Sequence, residues 1–227
     1  MSPLKVAGRL IGAWTLIFTV VILVGVALTG PLAASVGVTD NDVERSLAGH
    51  RSKSLTALAQ AASLLGETIT QLVLVPVLLL LAWWWLHRLA PVVFLGVAAV
   101  GELSGYLLTV SIVSRPRPPV PLLDSGLDPL HSYPSGHVAA AMATYGGLAV
   151  VCWTFGTDPW RRLSVILLLA PPLVALARLY LGVHHPTDVL VSLLFMSAWL
   201  AVTASVLLMS HLAPPPMPAN DPRSPSR

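Results

Sequence analysis

Residues 131–154 read HSYPSGHVAAAMATYGGLAVVCWT. From about Val138 to Thr154 this stretch carries no charge, and its apolar run suits a helix inside a bilayer. The residues just ahead of it are of the opposite kind: two histidines, two serines and a Pro-Ser-Gly turn. The bilayer core is about 30 Å thick and takes about 20 apolar residues to cross as a helix, because no water is there to satisfy backbone groups. A chain that spans the membrane here has therefore gathered titratable side chains at the border of a span, and that placement asks for a chemical reason.

The rest of the chain agrees with a membrane setting. Of its 227 residues 55% are hydrophobic and only 10% are charged, with mean hydropathy +0.78, against roughly 25% charged in a soluble domain. Five further segments qualify or nearly qualify as spans: about Ile11 to Leu32, Ile69 to Leu86, Pro91 to Val113, Leu163 to Leu181 and Val189 to Ser210. The expected fold is all-α, an integral membrane bundle of six transmembrane helices. It forms a single domain over residues 1–212, its motif-bearing core at about 60–210, with a disordered Pro-rich tail at 213–227. The first apolar segment follows Lys5 and Arg9, as a signal peptide would, but it exceeds the usual length of about 7 to 15 residues and reads as a retained span. After the polar stretch TDNDVERSLAGHRSKS, Leu55, Leu58, Ala62 and Leu65 recur at helical spacing, predicting an amphipathic helix in the interface.

Formal net charge is +3, yet the basic residues are scattered and do not interleave with aromatics, so no nucleic-acid partner is indicated. The single Cys152 lies in an apolar run and offers neither a disulfide framework nor a thiolate metal site. Six spans put both termini on one side. With the motif arginines 115, 117 and 178 set aside, seven basic residues fall on the side of the termini and three on the other, which predicts cytoplasmic termini.

In that arrangement three stretches meet at the outer face: SRPRPP with Arg115 and Arg117, PSGH with Ser135, Gly136 and His137, and ARLYLGVHHPTD with Arg178, His184, His185 and Asp188. The planar fork of arginine matches phosphate oxygens, so Arg115, Arg117 and Arg178 read as an oxyanion clamp. Ser135 caps a helix start whose free amides and dipole favour an anion, and Gly136 lets a ligand approach the backbone. His184 and Asp188, four apart, share a helical face; a carboxylate beside imidazole fixes its tautomer and sharpens the other nitrogen as a nucleophile. His137 is then placed to protonate a leaving alkoxide.

Each piece alone has a plainer reading. The arginines serve as interface anchors, Pro-Ser-Gly as a cap, and His184 with Asp188 as a structural hydrogen bond. Histidines 131, 137, 184 and 185 could ligate a metal but lack a defined ligand spacing. Glu102, inside the small-xxx-small pattern GELSG, reads as a buried structural hydrogen bond in a close helix contact. The coincidence on one face favours the chemical reading.

At these residues the chain resembles the type 2 phosphatidic acid phosphatase (PAP2) family, which shares its phosphatase motif with vanadium haloperoxidases. The family pattern is Lys, six residues, Arg-Pro; then Pro-Ser-Gly-His; then Ser-Arg, five residues, His, three residues, Asp. Here the second part is intact as Pro134 to His137, the third runs from Arg178 through His184 to Asp188, and the first keeps Arg117-Pro118. Val110 stands at the lysine position and Ala177 at the serine, with Arg115 a candidate substitute for the missing cation. The resemblance implies a membrane lipid phosphatase acting on phosphatidic acid, phosphatidylglycerol phosphate or a polyprenyl diphosphate. In it His184 attacks phosphorus to form a phosphohistidine, Asp188 supports it and His137 is the acid. Arg117, Arg178, Ser135 and the Gly136 amide hold the oxygens, and no metal or cofactor takes part. Transfer to an alcohol acceptor, or lipid binding and transport without turnover, are the alternatives that the same residues leave.

Overall fold

The computed structural model describes residues 2–208; the expected tail at 213–227 lies outside them. Six helices are long and apolar enough to cross a membrane: α1 (Pro3–Thr29), α4 (Thr68–Leu86), α5 (Leu89–Ile112), α6 (Gly136–Phe155), α7 (Asp158–Tyr180) and α8 (Pro186–Leu207). Two further helices, α2 (Ala33–Gly49) and α3 (Lys53–Ser63), join α1 to α4. Among the described residues there is no strand, only one isolated bridge between Arg115 and His131. Leu16, Leu23, Leu80, Leu103, Leu190 and Leu194 are each more than half exposed, as expected where lipid replaces water around the bundle.

Two of the spans are interrupted. In α7 a turn at Leu168 and Leu169 separates Asp158–Leu167 from Ala170–Tyr180. Pro171 and Pro172 follow at once, in a first turn where a missing N–H breaks no helical bond. Within α6 the segment Met142–Gly146 widens to a π turn, a local feature often tied to function.

Packing at the centre uses small residues to bring helices together, because apolar burial gives little drive inside lipid. The GELSG pattern is such a contact: a methyl on Gly101 would overlap Trp199 of α8, and one on Gly105 would overlap Phe18 of α1. Phe18, Val21, Phe195, Met196 and Trp199 form the core of that three-helix junction. Tyr133, fully buried, donates to the Val21 carbonyl at 2.6 Å and ties the loop of residues 113–135 to α1.

A helix covers most of the stretch expected to be amphipathic: α3, capped by Ser52, whose hydroxyl accepts from the Leu55 amide at 3.3 Å. Its Ala59 and Ala62 pack on Ala177 and Leu181 of the α7 end, while Leu55 and Leu58 stay exposed. Most of the polar stretch before it lies in α2, a helix not predicted from the sequence, and Asp40 and Glu44, four apart, point inward from one face.

Candidate active site

The C-terminal ends of α5 and α7 and the N-terminal ends of α6 and α8 meet at one end of the bundle, under α2, α3 and the loop of residues 113–135. There a cavity of about 430 Å³ is lined by Arg117, Gly136, His137, Arg178 and His184, with His131 and Tyr106 beside them. Five residues from three separated motifs thus share one space. Away from them the cavity continues between α4 and α5 along Leu72, Val75, Pro76, Val100 and Leu103. Leu72, Val100 and Leu103 are also exposed on the outside of the bundle, so this arm borders the lipid.

His184 is held by a backbone group. Its Nδ1 lies 2.6 Å from the Ser132 carbonyl, which can only accept, so Nδ1 carries the proton and Nε2 keeps its lone pair. Burial, with Arg178 and Arg117 nearby, holds its pKa well below the usual value for histidine, and the ring is neutral at neutral pH. The expected direct bond to Asp188 is absent: Nδ1 and Oδ2 are 4.0 Å apart. Asp188 is taken up by better-placed donors, namely Ser132 Oγ at 2.6 Å, the His185 amide at 2.8 Å and the Arg115 guanidinium. Its carboxylate bonds the His185 amide at the start of α8, and its hydrogen-bonded link to His184 runs through Ser132.

Arg115 is also not where the oxyanion reading put it. It is 5% exposed and bonds Asp40 at 2.7 Å, Thr187 at 2.7 Å and Asp188, which uses its fork on protein groups and keeps it out of the cavity lining. It therefore does not stand in for the missing lysine. Val110, half-buried in the last turns of α5, lines no part of the cavity, and Ala177 is packed against α3.

The cavity arginines are Arg117 and Arg178. Arg117 donates to the carbonyls of Asp128, Val183 and His131 at 2.7, 2.6 and 3.0 Å. Arg178, 1% exposed, gives Nη1 to Ser63 Oγ at 2.9 Å and to Asp124 Oδ2 at 2.6 Å, and its Nε has no partner. At the start of α6 no acceptor meets the amides of Gly136, His137 and Val138 among the described residues, and the buried Ser135 Oγ has no partner either. Gly136 serves packing as well as approach: a methyl there would sit 3.0 Å from the Tyr106 ring.

His131 lies at the rim, with Nδ1 3.1 Å from Asp128. His185 does not: it is buried outside the cavity, its Nε2 3.1 Å from the Pro116 carbonyl, and burial lowers its pKa. Among the described residues no three His, Cys, Asp or Glu side chains gather as a metal-ligand group. Glu102 was expected to form a structural hydrogen bond; instead it lines the cavity and no side chain or backbone group among the described residues bonds it. Sequence reasoning passed over Ser132, Asp40, Ser63 and Asp124, because each is an ordinary polar residue until the fold places it.

The fold and the site define a helical membrane protein with six candidate spans and an internal cavity lined by two arginines, His137, His184 and a helix start. The sequence pattern of the PAP2 superfamily matches residues 89–211, which is 123 of the 227 residues, and the chain belongs to that superfamily. The structure is similar to the crystal structure of a transmembrane PAP2-type phosphatidylglycerolphosphate phosphatase from Bacillus subtilis. The TM-score is 0.69 at 18% identity, over 88% of this chain and 97% of that one. No curated protein gives a significant match.

Proposed function

We propose that the protein is a lipid phosphate phosphatase, a single domain over residues 1–212, that hydrolyses a membrane lipid phosphomonoester or diphosphate through a phosphohistidine. The observation that carries this reading is the cavity itself: the unprotonated His184 Nε2 faces a space shared with His137, Arg117, Arg178 and the free amides of α6.

The chemistry follows from those positions. Arg117, Arg178 and the α6 amides hold the phosphoryl oxygens where negative charge concentrates in the transition state. His184 Nε2 forms a bond to phosphorus as the bond to the lipid oxygen breaks, and His137 gives that oxygen a proton. Water then attacks the phosphohistidine, His137 takes its proton, the N–P bond breaks, and inorganic phosphate leaves. Asp188 acts through Ser132 by holding the carbonyl that orients His184. The excess of basic residues near the termini supports cytoplasmic termini and an extracytoplasmic site.

The test is release of inorganic phosphate from phosphatidic acid by the purified protein in chelator, with acid-labile label on the protein from a terminally labelled substrate. His184→Ala should abolish both. Turnover that survives His184→Ala, or that is lost on chelation, overturns the reading.

A further inference from the structure

Glu102 is the one carboxyl group among the residues that line the cavity, and the phosphatase chemistry does not use it. It sits on α5 one turn from Tyr106 on the same face, and Tyr106 packs against Gly136 at the phosphate-binding helix start. One turn is about 6 Å along the helix. Glu102 is 7% exposed, lines the cavity and has no hydrogen-bond partner among the described residues. A carboxyl group that opens on a cavity inside a membrane span with no protein partner points to function.

The same cavity also holds two neutral polar groups, Gln71 and Thr144, that bond each other. Thr144, in the π turn of α6, donates to Gln71 Oε1 at 2.5 Å, and Gln71 Nε2 donates to the Leu65 carbonyl at 2.6 Å. Both residues line the same cavity. Gln71 keeps one N–H and Thr144 keeps acceptor lone pairs. Beyond this band the wall is Leu72, Val75, Val100 and Leu103.

We propose that Glu102, with Gln71 and Thr144 lining the same cavity, is a specificity site for a lipid phosphate that carries a free hydroxyl on the carbon next to the phosphate ester. A hydroxyl there reaches a few ångströms past the phosphorus, toward the band one turn from the phosphate site, and the carboxyl oxygens accept its hydrogen. A prenyl phosphate is hydrocarbon at that point and leaves Glu102 unpaired. This inference rests on the phosphatase reading and adds the substrate class to it.

The experiment compares 1-acyl-glycerol 3-phosphate with its 2-deoxy counterpart, which differ by that hydroxyl, and adds a farnesyl phosphate. The wild-type protein should favour the hydroxylated substrate by at least about tenfold in kcat/KM, because a site built for a hydroxyl rejects the analogue that lacks it. Glu102→Leu should erase that preference by slowing the hydroxylated substrate alone, and Glu102→Gln, which keeps an acceptor oxygen, should largely retain it. Preserved turnover of the deoxy compound shows that a variant is folded; if Glu102→Leu fails to fold, Thr144→Val and the wild-type preference carry the test. Equal rates for the two compounds in the wild type, or an equal loss on both in Glu102→Leu, overturn the inference. With His184→Ala inactive on every substrate the phosphatase reading survives that failure, whereas a wild type that turns over none of them overturns both.

Discussion

Asp188 and His184 are joined by Ser132: the Ser132 carbonyl accepts from His184 Nδ1 at 2.6 Å, and its hydroxyl donates to Asp188 at 2.6 Å. The acid therefore sets the imidazole through an intermediate residue. Ser132→Ala cuts this link and spares the charge balance around Asp188, so kcat should fall about tenfold with KM and the melting midpoint little changed. Asp188→Ala also takes from the buried Arg115 one of its two carboxylates, leaving Asp40, and should lower stability besides activity. Steady-state kinetics with thermal melting in detergent checks both. An unchanged kcat in Ser132→Ala would mean that Asp188 does not work through the serine.

Asp124 occupies Arg178. Their contact is 2.6 Å, and the carboxylate comes from the loop of residues 113–135, the same loop that Arg51 and Gln60 hold through the Pro121 and Leu123 carbonyls. A phosphate arriving at Arg178 must share or displace that carboxylate. Because Asp124 is about one-third exposed, the pair is partly screened and worth about 1 kcal/mol. Asp124→Asn should therefore strengthen inhibition by inorganic phosphate or vanadate roughly fivefold. Weaker inhibition would show that Asp124 helps to present Arg178 and does not compete with the anion.

The two arginines of the SRPRPP stretch should separate experimentally. Arg115 is enclosed by Asp40, Asp188 and Thr187, so Arg115→Ala should lower stability by about 3 to 5 kcal/mol. Its KM in protein that remains folded should change little. Arg117 lines the cavity, and Arg117→Ala should lower kcat/KM by about a hundredfold. Measuring midpoint and kinetics for both variants checks the assignment, and a reversed pattern would return Arg115 to the site.

The spans were legible because lipid imposes a length and a composition that a sequence displays directly. The site's parts were legible as well: Arg117, Gly136, His137, Arg178 and His184 came from motifs and line one cavity. What the sequence hid was the second layer of contacts. Arg115 and Arg117 are two residues apart with the same chemistry, and only the extended backbone between them sends one inward to Asp40 and the other to the cavity. Asp40 itself lies in a polar stretch that shows no apolar face, and it becomes buried only because α2 folds back over the start of α8. Ser132 acts through its carbonyl as well as its hydroxyl, and a carbonyl is common to every residue type.

Glu44 connects this buried layer to pH. It is fully buried on α2, neither carboxyl oxygen has a partner, and its pKa is raised from about 4.5 to about 8. Burial is the main cause; Arg51 opposes it, and Asp188 and Asp40 add to it. Between those two values the folded chain holds a proton that the unfolded chain has released. Stability from this group is thus greatest at the acid end and is lost as pH rises toward 8. From pH 5.5 to 7.5 the loss should be about 2 to 3 kcal/mol, near the ceiling of about 1.4 kcal/mol per pH unit for one linked proton. Glu44→Gln is neutral throughout, so its melting midpoint should fall less over that interval and exceed the wild type near pH 8. Parallel pH profiles for the two proteins would show that Glu44 is ionised in the folded state, with Arg51 stabilising it more than burial opposes it.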